Sequence, residues 1–501
     1  MIKVRDILST KISKILGTPK DQITLILTIL SIIPLSLINH FIKGKNFRLL
    51  YSFIIGFYLQ YSIYGKGIIH TLISTIITYL FMKYLGRKIS AFVILIGTMI
   101  YLSTLNIIKM FHKYGEWALD DESTIYMMVL CKLSSMAFSY EDGEKNDKDF
   151  ISIHQREYKI INCPSLLEIL SFVYFYPTCI IGPSLEYKDF INWINFEGPY
   201  KNLYNNKKLI FFKGLEYFIY SFIVMGLYAF LGPYFPIEKI ADINFRKKLN
   251  YPYFMLYLWI SCILYRTKYY SGWILSYSTF IWNGIAYSEK KDKNGLIKKD
   301  FECCSYGSFF YGEFGLNPNE NFNYWNRSVH LWLKYSVFTR VINLPFKIFK
   351  NNYSLAQMIT FIFSAFWHGF YSSYYITFLL LFFLMNGNGT LIKLGFYDYV
   401  RKNYFLMVIV SIWTAIVFSS IGIFFYNLNW DKAIYSTLNM NFFPFITVGI
   451  YNCFRFVFKV PKKKVNDVNE KDNVKKNINN GIVNEKKNNE IGIDNEKKKI
   501  N

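Results

Sequence analysis

FIFSAFWHGFYSSYY, Phe361 to Tyr375, sets a single histidine, His368, into an apolar run that continues almost unbroken to Met385. Water is scarce at such a depth, and an imidazole placed there is costly unless something needs it. An ionisable side chain inside a membrane is a functional candidate by default. A histidine hydrogen-bonded to a neighbouring helix for packing alone is the competing reading, and this stretch by itself leaves both open.

The rest of the chain makes the membrane setting plain. Of its 501 residues 52% are hydrophobic and 20% aromatic, with 48 Phe and 42 Tyr. Apolar runs of about 17–25 residues, the length a helix needs to cross a bilayer, recur from near residue 22 to near residue 460. They are continuous rather than alternating, which excludes a barrel. The expected fold is an all-α polytopic membrane protein of about ten to twelve transmembrane helices. Residues 1–460 form that membrane domain, and 461–501, rich in Lys, Asn, Asp and Glu, form a disordered cytosolic tail. The net charge of +23 sits mainly in short connectors and the tail. Retention of basic loops on one side and attraction to anionic membrane lipids account for it, and no nucleic-acid module is present. The seven cysteines lack the paired spacing of a zinc site and several lie in apolar runs, so neither a disulfide framework nor a metal is expected.

Taken in order, spans are predicted near 22–42, 48–64, 67–85 and 89–108. The first is too long for a signal peptide and no small-residue cleavage site follows it. Trp117–Glu144 is apolar at its centre but carries Asp120, Asp121, Glu122 and Lys132, which predicts a helix buried among others or lining a cavity. In Leu166–Ser184, Pro177, Gly182 and Pro183 break a membrane-depth helix, an arrangement tolerated only against protein or a water-filled cavity. Further spans follow near 209–235, 252–266, 268–287, 403–427 and 433–458. The hydrophilic insert 288–323 is expected outside the bilayer. Lys498 and Lys499, third and fourth from the end, resemble a dilysine retrieval signal and predict the endoplasmic reticulum membrane.

A second polar site precedes His368: WNRSVHLWLKY, with Trp325, Asn326, Ser328, His330 and Trp332. On a helix Asn326 and His330 share a face. The Asn326 carboxamide could cap or cross-link helices, or donate to a developing oxyanion. His330 is the rival base, and Arg327, Lys334 and Arg340 are either interfacial anchors or partners for phosphates.

WNRSVHLWLKY followed by SAFWHG resembles the membrane-bound O-acyltransferase family. Asp120, Met127, Lys132 and Asp142-Gly143 within Trp117–Gly143, together with FYPTCIIGPSLEYKDF from Phe175 to Phe190, resemble its lysophospholipid acyltransferase branch. The resemblance spans roughly residues 20 to 460. It departs after the histidine, where Ser372-Ser373-Tyr374 replaces the Pro-Gly-Tyr step usual in that branch. It implies a helical bundle around a buried catalytic chamber, with His368 as the catalytic histidine and Asn326 as its partner. Trp325, Ser328, Trp332 and Trp367 in the two paired motifs, and Asp120, Lys132, Pro183 and Glu186 in the two others, are then expected to bind substrate. Acyl-CoA would enter from the cytosol as co-substrate and lysophospholipid from the membrane, with no resident cofactor and no metal.

The chemistry suits the residues. A lysolipid hydroxyl is a weak nucleophile, and a neutral imidazole can take its proton as it attacks a thioester carbonyl. Burial disfavours imidazolium, so His368 is expected in its neutral form. Acceptors such as a sterol, diacylglycerol or protein hydroxyl are the nearer alternatives. A non-enzymatic transporter with a midplane site is the distant one, and the internal repeats common in transporters are not seen.

Overall fold

The computed structural model describes residues 2–17, 19–112, 122–146, 150, 152–182, 184–291, 297–301, 305–349 and 352–458. Within these the chain is almost wholly helical, and the one sheet is a two-stranded hairpin, Ser288–Lys291 with Ile297–Asp300. Asp120, Pro183, Cys303, Cys304 and the 461–501 tail lie outside the described residues.

Among the described residues, six segments are long and apolar enough to cross a membrane by length and composition alone. They are Lys20–Asn39, Lys45–Tyr84 (two helices joined by the 3-10 turn Gly65–Gly67), Arg87–His112, Lys207–Tyr234, Ser372–Lys393 and Tyr404–Tyr426. The other helices are shorter or more polar and pack among these.

Two of the expected boundaries differ. The runs 252–266 and 268–287 are one helix of 33 residues, Tyr251–Asn283. Arg266, at the expected break, is buried inside it by a carboxylate that the sequence supplies 47 residues later. The run 433–458 is two helices, Trp430–Asn439 and Phe443–Val457, separated by Asn441 and Phe442 at positive φ.

Among the described residues the interior forms a small apolar cluster of Tyr371, Tyr374 and Leu428 and two large ones. One gathers the Glu122–Asp142 helix, Ile169–Tyr176, the second half of Tyr251–Asn283, Trp332 and Trp367. The other gathers Phe254–Cys262, Phe361, Ala365, Phe378–Leu391 and Val417–Phe424. Every residue from Val129 to Asp142 is buried. A helix covered on all sides belongs to a core rather than a lipid face, in line with the reading of Trp117–Glu144.

The broken segment sits where that reading put it. The helix Leu166–Val173 opens on a capping box between Ser165 and Glu168 and stops at Tyr174. Side chains from three other helices satisfy the irregular backbone that follows. Lys132 donates through Nζ to the carbonyls of Phe172 (3.2 Å) and Val173 (2.8 Å) and to the Thr178 hydroxyl. Gln60 donates to the Cys179 carbonyl at 2.8 Å, and Ser276 reaches the carbonyls of Pro177 and Gly182. Gly56 lets the Lys45–Tyr64 helix touch this segment, since a Cβ there would lie 1.4 Å from the Tyr174 carbonyl oxygen.

The insert 288–323 divides in two. Its first part is the hairpin. Its second, Phe309–Phe314 and Pro318–Tyr324, is folded into the protein, with Gly312, Glu313 and Asn321 buried. Glu313 there is paired with Arg266, each side chain about 1% exposed.

Candidate active site

His368 is the last residue of the helix Tyr353–His368. Gly369, at φ +124, ends the helix and turns the chain away. Ser372 and Ser373 then open the helix Ser372–Lys393. The first helical position needs no N–H donor, so proline or serine suits it equally. The Ser-Ser departure from the branch pattern thus leaves the turn after the histidine intact.

Four rings surround the imidazole: Trp367 at 4.7 Å between centroids, Phe425 at 4.8 Å, Phe378 at 5.4 Å and Tyr374 at 5.5 Å. Even so, His368 is only half-buried, so part of its surface borders open space. A packing histidine would be hydrogen-bonded to a neighbour. Among the described residues this one has no such partner.

Asn326 lies just before the helix Arg327–Trp332, in the left-handed region at φ 43 and ψ 52. Asparagine tolerates that conformation better than most residues. Its carbonyl accepts from the His330 N–H, and the next N–H, of Arg327, donates to the Tyr306 carbonyl. The backbone is thereby held while the carboxamide makes no capping bond. Asn326 is also half-buried and, among the described residues, its side chain has no hydrogen-bond partner.

The two segments are laced to each other and to one post. Trp332 and Trp367 pack with centroids 5.7 Å apart. Trp332 donates through Nε1 to the Ser134 hydroxyl at 2.9 Å, and Trp367 to the Met127 carbonyl at 3.2 Å. Both acceptors belong to the Glu122–Asp142 helix, two turns apart on one face, or about 10 Å along its axis. A second lacing runs from His330 to Phe322, Phe361, Phe378 and back to His368, with neighbouring centroids 5.2 to 6.4 Å apart.

The residues expected to bind substrate thus fall into groups. Trp332 and Trp367 hold the site's two halves to the post through their indole N–H groups. Lys132 is about 1% exposed and occupied with the broken segment. Trp325 packs against Tyr269, Tyr270 and Trp273. Ser328 is buried on the same short helix as Trp332. Glu186 accepts from the Ser135 hydroxyl at 2.6 Å and lies 3.4 Å from His154 Nε2.

Sequence reasoning left out two ion pairs. Asp142 grips Arg340 through both oxygens, at 2.8 and 2.6 Å, so the Arg340 fork is already occupied by a carboxylate. Arg266 is gripped in the same way by Glu313. An arginine inside an apolar run was the available signal for the second pair. Five described cysteines are free, and among the described residues no three His, Cys, Asp or Glu side chains gather as they would around a metal.

Comparison with known proteins gives the family. The family model for the membrane-bound O-acyltransferase family matches residues 90–428, from the helix before the post to just past Phe425. A lysophospholipid acyltransferase of Saccharomyces cerevisiae is 28% identical over 401 residues, 74% of this chain and 62% of the relative. Lysophospholipid acyltransferase 6 of Drosophila melanogaster is 25% identical over 67% of this chain and 46% of its own length. Lysophospholipid acyltransferase 5 of Rattus norvegicus is 24% identical over 76% of each chain. The match therefore spans less than two thirds of the yeast and fly relatives.

Proposed function

The chain belongs to the membrane-bound O-acyltransferase family, and we propose that it is an acyl-CoA:lysophospholipid O-acyltransferase with His368 as general base and Asn326 as oxyanion donor. One observation carries this reading. Two polar side chains without hydrogen-bond partners among the described residues are held on helices laced to each other in an aromatic interior. Relatives named as lysophospholipid acyltransferases supply the acceptor class.

In the proposed reaction the free hydroxyl of the lysolipid attacks the thioester carbonyl carbon while His368 accepts its proton. The carbonyl oxygen becomes an oxyanion beside the Asn326 carboxamide. Collapse breaks the carbon–sulfur bond, the thiolate regains a proton from His368, and phospholipid and free CoA leave. General-base assistance is typically worth about 10²–10⁴-fold, and one oxyanion donor about 10²–10³-fold. The ring wall around His368 would keep water from competing with the lipid hydroxyl. Transfer is direct, and no serine or cysteine nucleophile is needed.

The test is transfer of radiolabelled acyl chains from a panel of acyl-CoAs to a panel of lysophospholipids by the full-length protein in detergent. A transporter has no gradient to use there. Wild type should form phospholipid, and His368→Ala should lose at least about 10²-fold in rate at equal abundance. Undiminished turnover by that variant would remove His368 from the mechanism, and a product other than phospholipid would reassign the acceptor. The reading extends to residence in the endoplasmic reticulum membrane, and membrane fractionation that finds the protein elsewhere would correct it.

A further inference from the structure

Lys268 lies on the interior helix Tyr251–Asn283, roughly 25 Å from its first residue and 22 Å from its last. Its Nζ sits 3.4 Å above the Tyr265 ring and 5.2 Å from that of Tyr269. Among the described residues this ammonium has no hydrogen bond and no ion pair. Glu313, on the helix Phe309–Phe314, is taken by two nitrogens of Arg266, one half-turn before Lys268. Glu238, on the Ile237–Ala241 turn, acts on Lys268 only from beyond ion-pair distance and is itself exposed. A lysine kept at this depth without an anion is costly, and such charges mark substrate paths.

Its position relates it to the proposed site. Tyr265 packs on one apolar cluster and Tyr269 on the other, so Lys268 lies on the seam between them. His368 lies on the same seam, with Trp367 in the first cluster and Phe378 in the second. Tyr265 packs on Tyr426 at 4.6 Å, and the adjacent Phe425 touches His368. Tyr269 packs on Trp325, next to Asn326, at 6.3 Å. Lys268 is half-buried, so it too borders open space.

We propose that Lys268, cradled by Tyr265 and Tyr269, holds the phosphate of a substrate within the bundle. This rests on the acyltransferase reading and adds to it the group that fixes the acceptor. In a lysophospholipid the phosphate is a few bonds from the reacting hydroxyl. In CoA the pantetheine arm separates it from the thioester. A residue whose cradle is linked to His368 through Tyr426 and Phe425 suits the lysolipid phosphate, and CoA is the other source of the same chemistry.

The experiment uses full-length protein whose wild type has first been shown to acylate a lysophospholipid. A wild type without that activity fails the parent reading, whereas the comparison below judges only Lys268. Apparent KM for lysophosphatidylcholine and for oleoyl-CoA is measured in wild type, Lys268→Met, Lys268→Gln and Lys268→Arg. Loss of a charge-assisted contact should raise KM for lysophosphatidylcholine about 10- to 100-fold in the two neutral variants, with kcat changing less. Lys268→Arg should recover most of the loss. A rise confined to oleoyl-CoA still assigns a phosphate to Lys268 and names CoA as its source. Both KM values near wild type, or an arginine variant as impaired as methionine, would overturn the proposal. If neither neutral variant accumulates, wild type decides. Monododecyl phosphate should then compete with lysophosphatidylcholine at least about tenfold better than uncharged dodecyl maltoside, and equal inhibition would overturn the proposal.

Discussion

Replacing Asn326 by glycine and by alanine separates the carboxamide's chemistry from the backbone it occupies. Both substitutions delete the side-chain amide, so if it donates to the oxyanion both should lose about 10²–10³-fold in kcat. They differ in the backbone. Asn326 sits at φ 43 and ψ 52, where glycine is at ease and a Cβ costs roughly 1–2 kcal/mol. Asn326→Ala should therefore be the less stable variant by about 1 kcal/mol, while Asn326→Gly should stay near wild type. The turn survives in either case, because the bonds that hold it are made by the Asn326 carbonyl and the Arg327 N–H. The assay pairs single-turnover acyl transfer with thermal unfolding followed by size-exclusion recovery. Rates that fall together while stabilities part are the expected result. A glycine variant at wild-type rate would refute the oxyanion role and leave Asn326 as a turn residue.

Glu313→Gln leaves the buried Arg266 guanidinium without an anion, with a neutral carboxamide and the Tyr426 and Ser419 hydroxyls beside it, and should destabilise by about 3–5 kcal/mol. The paired change Arg266→Met with Glu313→Leu should recover much of that, and equal loss in single and double variants would contradict the ion-pair account. Trp332→Phe removes the indole N–H bond to Ser134 (2.9 Å), worth about 1 kcal/mol net. Because it shifts Asn326 relative to His368, kcat should fall up to about 10²-fold with both KM values little changed. An unaltered kcat would show that the indole only packs.

Local pattern was enough for most of the long helices and for the broken segment, and it singled out His368 and Asn326 as candidates, because each is written within a short stretch of consecutive residues. Pro177 and Gly182 announce a break, and a histidine in an apolar run announces itself. Partnership across the chain was not legible. Arg266 and Lys268 resemble a connector until Glu313, 47 residues on, is known to enter the core. Trp332 and Trp367 resemble substrate-lining indoles, yet their N–H groups go to acceptors 198 and 240 residues away in sequence. Lys132 is similar: the sequence says that a lysine is buried, and only the fold shows that it caps the broken helix.

The two indole bonds and the Lys132 contacts share one element, the helix that carries Met127, Lys132 and Asp142 of the motif pattern. Glu122–Asp142 receives Trp367 at Met127 and Trp332 at Ser134, holds the broken segment through Lys132, and grips Arg340 through Asp142. A helix buried on every face cannot slide without breaking all four. The separation of His368 and Asn326 is therefore set through a rigid third body rather than by a bond between them. That arrangement suits the proposed reaction, in which the polar atoms of both residues meet the substrate. A direct hydrogen bond would satisfy both groups and leave neither the proton acceptor nor the oxyanion donor available to the incoming thioester.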